Sequence, residues 1–426
     1  VQLGKFIHAA DIHLDSPLRG LQRYEGAPEH VRHVTRRAFD NLIRLALEEH
    51  VDFLLIAVTC TTVIGATTTP AFILLPACSS CERREFRCCW CGAIHDAANS
   101  MTLQLRLPDN VRELSYRAPE TVVLDRIGAA VHGQGFAEPA VTENIARTYP
   151  DPVPGYLNIG LLHTALDGRE GHQPYAPCTA AELVNKGYDY WALGHVHRRQ
   201  VVHSGSPWVV FSGNLQGRHA NEPGAKGCTV VSFADGRITG VSERQVDVLR
   251  WARCVVDCSG AHTPSDVLDE VRRLTYRELE QAQGRPVVFR FELAGPSPAH
   301  AKLVRDPEKW VNEIRAAVLD AGSGSGWVEK VQFNTTNPGS FQNSLPAGLP
   351  QGFMAQYFAG LEQDEGLLAQ IRQEFRELKS KLPYQLFAEY PGLDLDDPAA
   401  LQAILAAAQR AVEPRLVGEE GALDED

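Results

Sequence analysis

Gly187-Tyr188-Asp189-Tyr190-Trp191-Ala192-Leu193-Gly194-His195-Val196-His197 is the stretch on which the reading of this chain turns. Tyr190 to Leu193 are apolar or aromatic and predict a short buried strand, and Gly194 lets the backbone turn tightly at its end. Beyond that turn two imidazoles alternate, so each can face a neighbouring metal ion. The same placement recurs upstream. The apolar run Ile159-Gly160-Leu161-Leu162 ends at His163-Thr164, and Lys5-Phe6-Ile7-His8-Ala9-Ala10 ends at Asp11-Ile12-His13.

Around these ends the chain reads as α/β. A strand over Lys5–Asp11, a helix over about Val31–Glu49 and a second strand over Val51–Ala57 make a β-α-β opening. It delivers its ligands at the carboxyl ends of strands, where such folds keep their sites. Phe39, Leu42, Ile43, Leu45 and Leu47 give the helix an apolar stripe. Further short strands are expected at Thr121–Leu124, Leu157–Leu162, Tyr190–Leu193 and Trp208–Phe211. Any one of these histidines alone is more often a satisfied core or surface residue. It is the repetition at strand ends that points to metal. Asp and His are N and O ligands for Mn²⁺, Fe or Zn²⁺, and two such ions ~4 Å apart can generate hydroxide and clamp a phosphate.

The 426 residues suffice for two or three domains, and 44% hydrophobic with 22% charged residues is an ordinary globular balance. No apolar run approaches the ~18 residues of a membrane span. The first residues run straight into a strand with no signal peptide in view, so a cytoplasmic location without membrane association is expected. A net charge of −12 argues against an unaided nucleic-acid binder, although Arg198-Arg199 and the trio Arg32, Arg36 and Arg37 are local basic patches. Six of the ten cysteines fall within 32 residues, from Cys60 to Cys91. Cys78-x-x-Cys81 with Cys88-Cys89-x-Cys91 could be a zinc knuckle, but no second clean C-x-x-C follows.

Asp11-Ile12-His13-Leu14-Asp15-Ser16-Pro17-Leu18, Leu162-His163-Thr164, the stretch from Gly187 to His197, and Gly213-Asn214-Leu215-Gln216-Gly217-Arg218-His219 together resemble the calcineurin-like metallophosphoesterases. More narrowly, they resemble DNA repair exonuclease subunits of the SbcD/YhaO type. The resemblance is specific through about residue 230. It implies an αββα fold: a β-sandwich with helices on both outer faces, followed by a small α/β capping domain and C-terminal helices. It implies two divalent ions of the Mn²⁺ type, DNA as substrate, an SbcC-type coiled-coil ATPase as partner, and a possible homodimer. Asp11, His13 and His197 would hold one metal, and His163 and His195 the other. His95 would act catalytically near the scissile phosphate, oriented by Asp96. No organic cofactor is implied.

The domains expected are 1–245 for the phosphoesterase, 246–335 for the capping module, 336–351 for a Pro- and Gly-containing linker, and 352–426 for a helical partner-binding region with an acidic tail. The capping module carries strands at Val255–Asp257 and Val287–Phe291 and a helix over Pro264–Leu279. Leu367, Leu368, Ile371, Phe375, Leu378 and Leu382 give the region from Leu361 to Leu382 one apolar stripe, suited either to a coiled-coil base or to its own domain.

Two ligands of that family pattern are missing. It asks for Gly-Asp after the second strand, whose aspartate bridges both metals, and for Asn just before His95-Asp96. Here Val58-Thr59 and Ile94 stand in those places. The codon table offers an account. Every threonine codon read one base earlier can become Tyr, His, Asn or Asp, and every cysteine codon becomes Leu, Met or Val. From Val58 the shifted frame can read G-D-L-Y-D-G-D-W-R-D-Y-N-T-G-L. From Phe86 into the existing His95-Asp96 it can read I-P-V-L-L-V-R-G-N-H-D. Residues 58–94 therefore read as an out-of-frame stretch between two compensating single-base changes, the rival being a true insertion of novel sequence. As written, the segment lacks periodic patterning and should sit poorly in a core, and activity should be impaired. Alternatives to the nuclease are a phosphoesterase for nucleotides or phosphoproteins, or a catalytically dead scaffold keeping the fold.

Overall fold

β1 (Leu3–Ala10) and β2 (Phe53–Val58) run in parallel, with Phe6 opposite Phe53 and Ala10 opposite Ala57, and their alternating side chains divide between two cores. Ile7, Ala9, Leu54 and Ile56 face the helix α1 (Val34–Glu48), whose Ala38, Phe39, Leu42, Ile43 and Ala46 pack onto them. Phe6, Ala10, Phe53, Leu55 and Ala57 face the other way, into the interior of a sandwich.

In the computed structural model the described residues are 3–14, 16–18, 21, 33–58, 87–92, 110–135, 141–166, 176–338, 360, 364–379, 397, 399–405 and 408. They fall into two compact units, one of Val1–Arg253, Tyr276–Arg290 and Gly322–Glu329, the other of Cys254–Thr275, Phe291–Ala321 and Lys330–Asp426.

Among the described residues, the first unit holds two six-stranded sheets. One includes β3 (Arg87–Gly92), β4 (Val111–Glu113), β11 (Gly227–Ala234) and β12 (Arg237–Gln245), in the order β12-β11-β1-β2-β3-β4. The other is built from β5 (Glu120–Leu124), β6 (Ala129–Gly133), β7 (Leu157–His163), β8 (Tyr190–Gly194), β9 (Gln200–His203) and β10 (Trp208–Phe211), in the order β5-β6-β7-β8-β10-β9. Leu157, Ile159, Leu161, Tyr190 and Ala192 turn inward to meet Phe6 and Phe53. The Phe6 ring stacks on Phe53 at 4.9 Å and meets Tyr190 edge-on at 5.3 Å, one contact within its own sheet and one across the sandwich. On the outer face of the second sheet, Leu162, Trp191, Leu193 and Phe211 pack against Tyr149, Tyr188 and Leu183 of α2 (Ala180–Asn185). A capping box between Thr179 and Glu182 starts that helix. Helices thus cover both outer faces, and the αββα arrangement stands as the sequence predicts.

Three strands, β13 (Arg250–Asp257), β14 (Val287–Pro296) and β15 (Gly326–Thr336), form a further sheet in that order. In the second unit, the part of α3 (Pro264–Gln281) that belongs there buries Val267, Leu268, Val271 and Leu274. α4 (His300–Arg305) and α5 (Pro307–Ala321) follow, and α6 (Glu365–Lys379) covers much of the stretch expected to carry an apolar stripe. No described helix is long and apolar enough to cross a membrane.

Two expectations need adjustment. The written sequence from Arg87 to Gly92 does form a strand, in parallel register with β2 from Phe53 to Val58. The strands β4, β6, β9 and β15 and the hairpin β11–β12 were not among the strands expected. The remainder of 58–94 lies outside the described residues, as do most of the 336–351 linker and the acidic tail.

Candidate metal centre

Asp11 follows β1 directly, His163 is the last residue of β7, and His195 follows Gly194 at the end of β8. β7 and β8 are parallel with His163 opposite Gly194, so their ligands emerge at the same height. Gly194 closes the gap to the other sheet: a Cβ there would drive into the Ala57 carbonyl oxygen and lie 2.8 Å from His163 Nδ1. Only glycine permits this approach, which brings the carboxyl ends of β2 and β8 together.

The ligand loops are held in unusual backbone. Asp11, His13 and His195 all have positive φ, at 47°, 46° and 103°. Non-glycine residues rarely adopt this region, and such strain collects at functional sites.

The side chains converge in two pairs about Asp11. His13 Nε2 lies 3.1 Å from His197 Nε2, and His195 Nδ1 lies 3.3 Å from His163 Nε2. Asp11 touches the second pair as well, since its Oδ2 accepts the His195 backbone N–H at 2.9 Å and its Oδ1 lies 3.9 Å from His163 Nδ1. Asp11, His13 and His197 offer three ligand atoms within 4.8 Å of one another. Two ligand atoms each about 2.1 Å from an ion, at roughly right-angled or tetrahedral positions, lie about 3.0–3.4 Å apart. The observed imidazole spacings have that size, so the donor set fits divalent cations of the nitrogen- and oxygen-loving kind.

Electrostatics point the same way. Burial pushes the Asp11 carboxyl up, opposed by the charges of His197 and Arg218 and the bond from His195. Burial, aided by Arg218 and His197, holds His13 neutral far below the ordinary histidine range. A neutral imidazole keeps the lone pair that a metal needs.

Behind the ligands sits a residue that sequence patterning did not single out. Glu222 is buried, and its Oε1 accepts His197 Nδ1–H at 2.6 Å. Its Oε2 accepts from Asn214 Nδ2 at 3.0 Å and from the Arg218 backbone at 2.8 Å. Burial would raise its carboxyl, but the bond from His197 and the charges of His197, Arg218 and His219 outweigh that and hold it far below the ordinary range. An ionised Glu222 fixes the tautomer of His197, leaving Nε2 free to coordinate; carboxylates behind metal-binding histidines work in this way. Lys226 Nζ holds the His197 carbonyl at 3.0 Å. A bridge between Ala10 and Asn214 seats this loop beside Asp11. No spacing rule would have found Glu222, since it reaches His197 across 25 residues of turn and strand.

Of the residues expected at the site, Asp11, His13, His163, His195 and His197 are brought together. His95 and Asp96, with Asp15, Thr59 and Ile94, lie outside the described residues.

A Bacillus subtilis (strain 168) protein described as an uncharacterized metallophosphoesterase, YhaO, is 32% identical over 373 residues, spanning 84% of this chain and 86% of that one. The family described as the middle domain of metallophosphoesterase YhaO matches residues 251–336. One solved structure aligns with 57% of this chain at 12% identity and a TM-score of 0.30, too loose a likeness to bear on the fold. Identity of that extent, on a chain whose strand ends gather Asp11 with four histidines, means that the chain belongs to the metallophosphoesterase family.

Proposed function

We propose that this chain is the nuclease subunit of a DNA-processing complex, hydrolysing phosphodiesters with two divalent ions, Mn²⁺ foremost, and working with an SbcC-type coiled-coil ATPase. The observation that carries the phosphoesterase part is the convergence of His13 with His197 and of His163 with His195 on either side of Asp11. Two bound cations would supply a hydroxide and neutralise a phosphate there. The chain's own residues hold that arrangement: Asp11 stands between the imidazole pairs, Glu222 aligns His197, and Gly194 lets the sheets close. His95 and Asp96 keep the role near the scissile phosphate that the family resemblance gives them.

Support for the partner is the apolar stripe of α6, where Leu367, Leu368, Ile371 and Phe375 are half-buried and the intervening positions largely exposed. The test is manganese-dependent degradation of linear duplex DNA with and without a coiled-coil ATPase of this type, beside hydrolysis of p-nitrophenyl phosphate. Digestion of DNA ends supports the nuclease. Hydrolysis of the small ester alone moves the reading to a nucleotide or phosphoprotein phosphoesterase, which the net charge of −12 favours.

We further propose that the written chain has an impaired site. Ala10 pairs with Ala57 at the carboxyl ends of β1 and β2, and the family resemblance sets the bridging aspartate just beyond β2, where this chain has Thr59. A neutral threonine hydroxyl is a poor substitute for a bridging carboxylate. Resequencing the gene across codons 58–94 tests the out-of-frame account: an unambiguous coding sequence with no single-base neighbours that restore Gly-Asp and Asn would defeat it, and leave the scaffold reading in its place.

A further inference from the structure

Arg218 is charged, mostly buried and poorly paired. Its side chain is 12% exposed, and its guanidinium offers five N–H donors. Nη1 reaches Ser16 Oγ at 3.2 Å and Nη2 reaches Glu222 Oε1 at 3.4 Å, both long bonds. Nε–H is buried and meets no acceptor among the described residues. Glu222 does not neutralise this cation by itself. Its two oxygens already take the short bonds from His197 Nδ1, Asn214 Nδ2 and the Arg218 backbone, and His219 Nε2 lies 3.4 Å away. Lys226, a second buried cation, adds to the positive charge behind the loop. Buried guanidinium groups are ordinarily matched by acceptors, so the open donors of Arg218 mark a place for an anion.

That place adjoins the metal centre. Ser16 follows the Asp11–His13 loop, its N–H donating to the His13 carbonyl at 3.0 Å, and Glu222 holds His197. Arg218 therefore links the segment after His13, through Ser16, to the carboxylate that holds His197.

We propose that Arg218, steadied by Ser16 and Glu222, is a substrate-binding residue that takes a nonbridging oxygen of the phosphoester beside the metal ligands. This rests on the phosphoesterase reading for its substrate, though not for the anion site itself. A planar fork of N–H donors suits a phosphate oxygen pair, and Ser16 Oγ supplies a further donor on the same side.

The experiment titrates inorganic phosphate into the full-length chain in chelator at low ionic strength, by calorimetry, for the wild type, Arg218→Met, Arg218→Lys and the distant control Arg272→Met. One phosphate per wild-type chain is expected, with affinity unchanged in the control and at least tenfold weaker in Arg218→Met. Arg218→Lys keeps the charge and protects folding; it should lose at least threefold, because the fork is gone. Wild-type affinity in a folded Arg218→Met or Arg218→Lys chain, or no phosphate binding by the wild type, overturns the assignment. Manganese-dependent hydrolysis of bis-p-nitrophenyl phosphate is read in parallel. A rise in KM of at least tenfold in Arg218→Met, with kcat within threefold, supports the assignment. If the wild type binds phosphate through Arg218 but hydrolyses nothing, the anion site stands and the chain carrying the shifted-frame residues over 58–94 is assayed next; no hydrolysis there brings the phosphoesterase reading down. If it hydrolyses and the Arg218 variants keep both phosphate affinity and KM, the assignment falls alone.

Discussion

A single hydrogen atom at position 194 decides whether the two sheets can meet. Any Cβ there collides with the Ala57 carbonyl oxygen, which belongs to backbone and cannot swing aside. Gly194→Ala should therefore cost about 1–3 kcal/mol of stability by overpacking and move His195 off its partner His163. Urea unfolding and a manganese titration check this together: wild-type affinity in the alanine variant would show that the approach is not needed. Glu222 carries a different burden. Removing it in Glu222→Ala strands the His197 Nδ1–H and leaves Arg218 and Lys226 without their nearest carboxylate. Losing one partner of such a buried pair costs about 3–5 kcal/mol, and loss of the carboxylate behind a ligand histidine weakens metal binding roughly 10–100-fold. Glu222→Gln can still accept from His197 but carries no charge, so it should fold and still bind Mn²⁺ at least about tenfold more weakly, as calorimetry would read. Equal affinity in Glu222→Gln would reduce Glu222 to a packing role.

Among the elements, β1 serves two purposes, because alternation places His8 on the inward face with Phe6 and Ala10. His8 ties the sheets together. The Leu193 carbonyl can only accept, so Nε2–H donates to it at 3.2 Å, and Nδ1 accepts from the Tyr190 hydroxyl at 3.0 Å. Burial lowers the pKa of His8 to about 3, with the Leu193 bond opposing and Arg199 assisting. The unfolded chain protonates His8 near pH 6.5, so between 6.5 and 3 it binds a proton that the folded state excludes. Stability is then lost as pH falls through that window, by about 1.4 kcal/mol per pH unit from this group. His8→Gln should flatten the dependence of urea midpoints between pH 6.5 and 5; an unchanged slope would mean that other groups set it. The strands that carry ligands were legible in sequence because each is a short apolar run ending abruptly in Asp or His, and β1, β7 and β8 lie within a residue or two of the expected limits. β11 and β12 were not legible in the same way, because their hairpin ends in no Asp or His ligand, although Asp235-Gly236 between them is a two-residue turn signal. Which strands pair with which, and that β8 faces β2 across the sandwich, depends on contacts far apart in sequence that no window contains. The same limit hid Glu222 and Arg218: both were in plain view in the sequence, but their meaning comes from His197 and Ser16, which lie 25 and 202 residues away along the chain.

At the scale of the whole chain, metal binding and folding are one equilibrium. The candidate ligands come from the ends of β1, β7 and β8, so an unfolded chain has no site, and any ion bound to the native state adds RT ln(1 + [M]/Kd) to stability, about 2.7 kcal/mol at a hundredfold excess over Kd. Mn²⁺ should raise the melting temperature of the wild type, EDTA should reverse the rise, and Asp11→Asn should abolish most of it, because Asp11 touches both imidazole pairs. The number of ions discriminates further. Two dications a few ångströms apart repel strongly unless a carboxylate lies between them, and the position at which the family resemblance expects that carboxylate holds Thr59 in this chain. The written chain should therefore bind one ion tightly and a second at least about a hundredfold more weakly, a gap of roughly 2.7 kcal/mol. A version carrying the shifted-frame residues over 58–94 should bind two of comparable affinity and melt higher in Mn²⁺. Two tight ions in the written chain would mean that the histidines and Asp11 suffice to screen the pair, and the out-of-frame account would lose its physical motive even before the gene is resequenced.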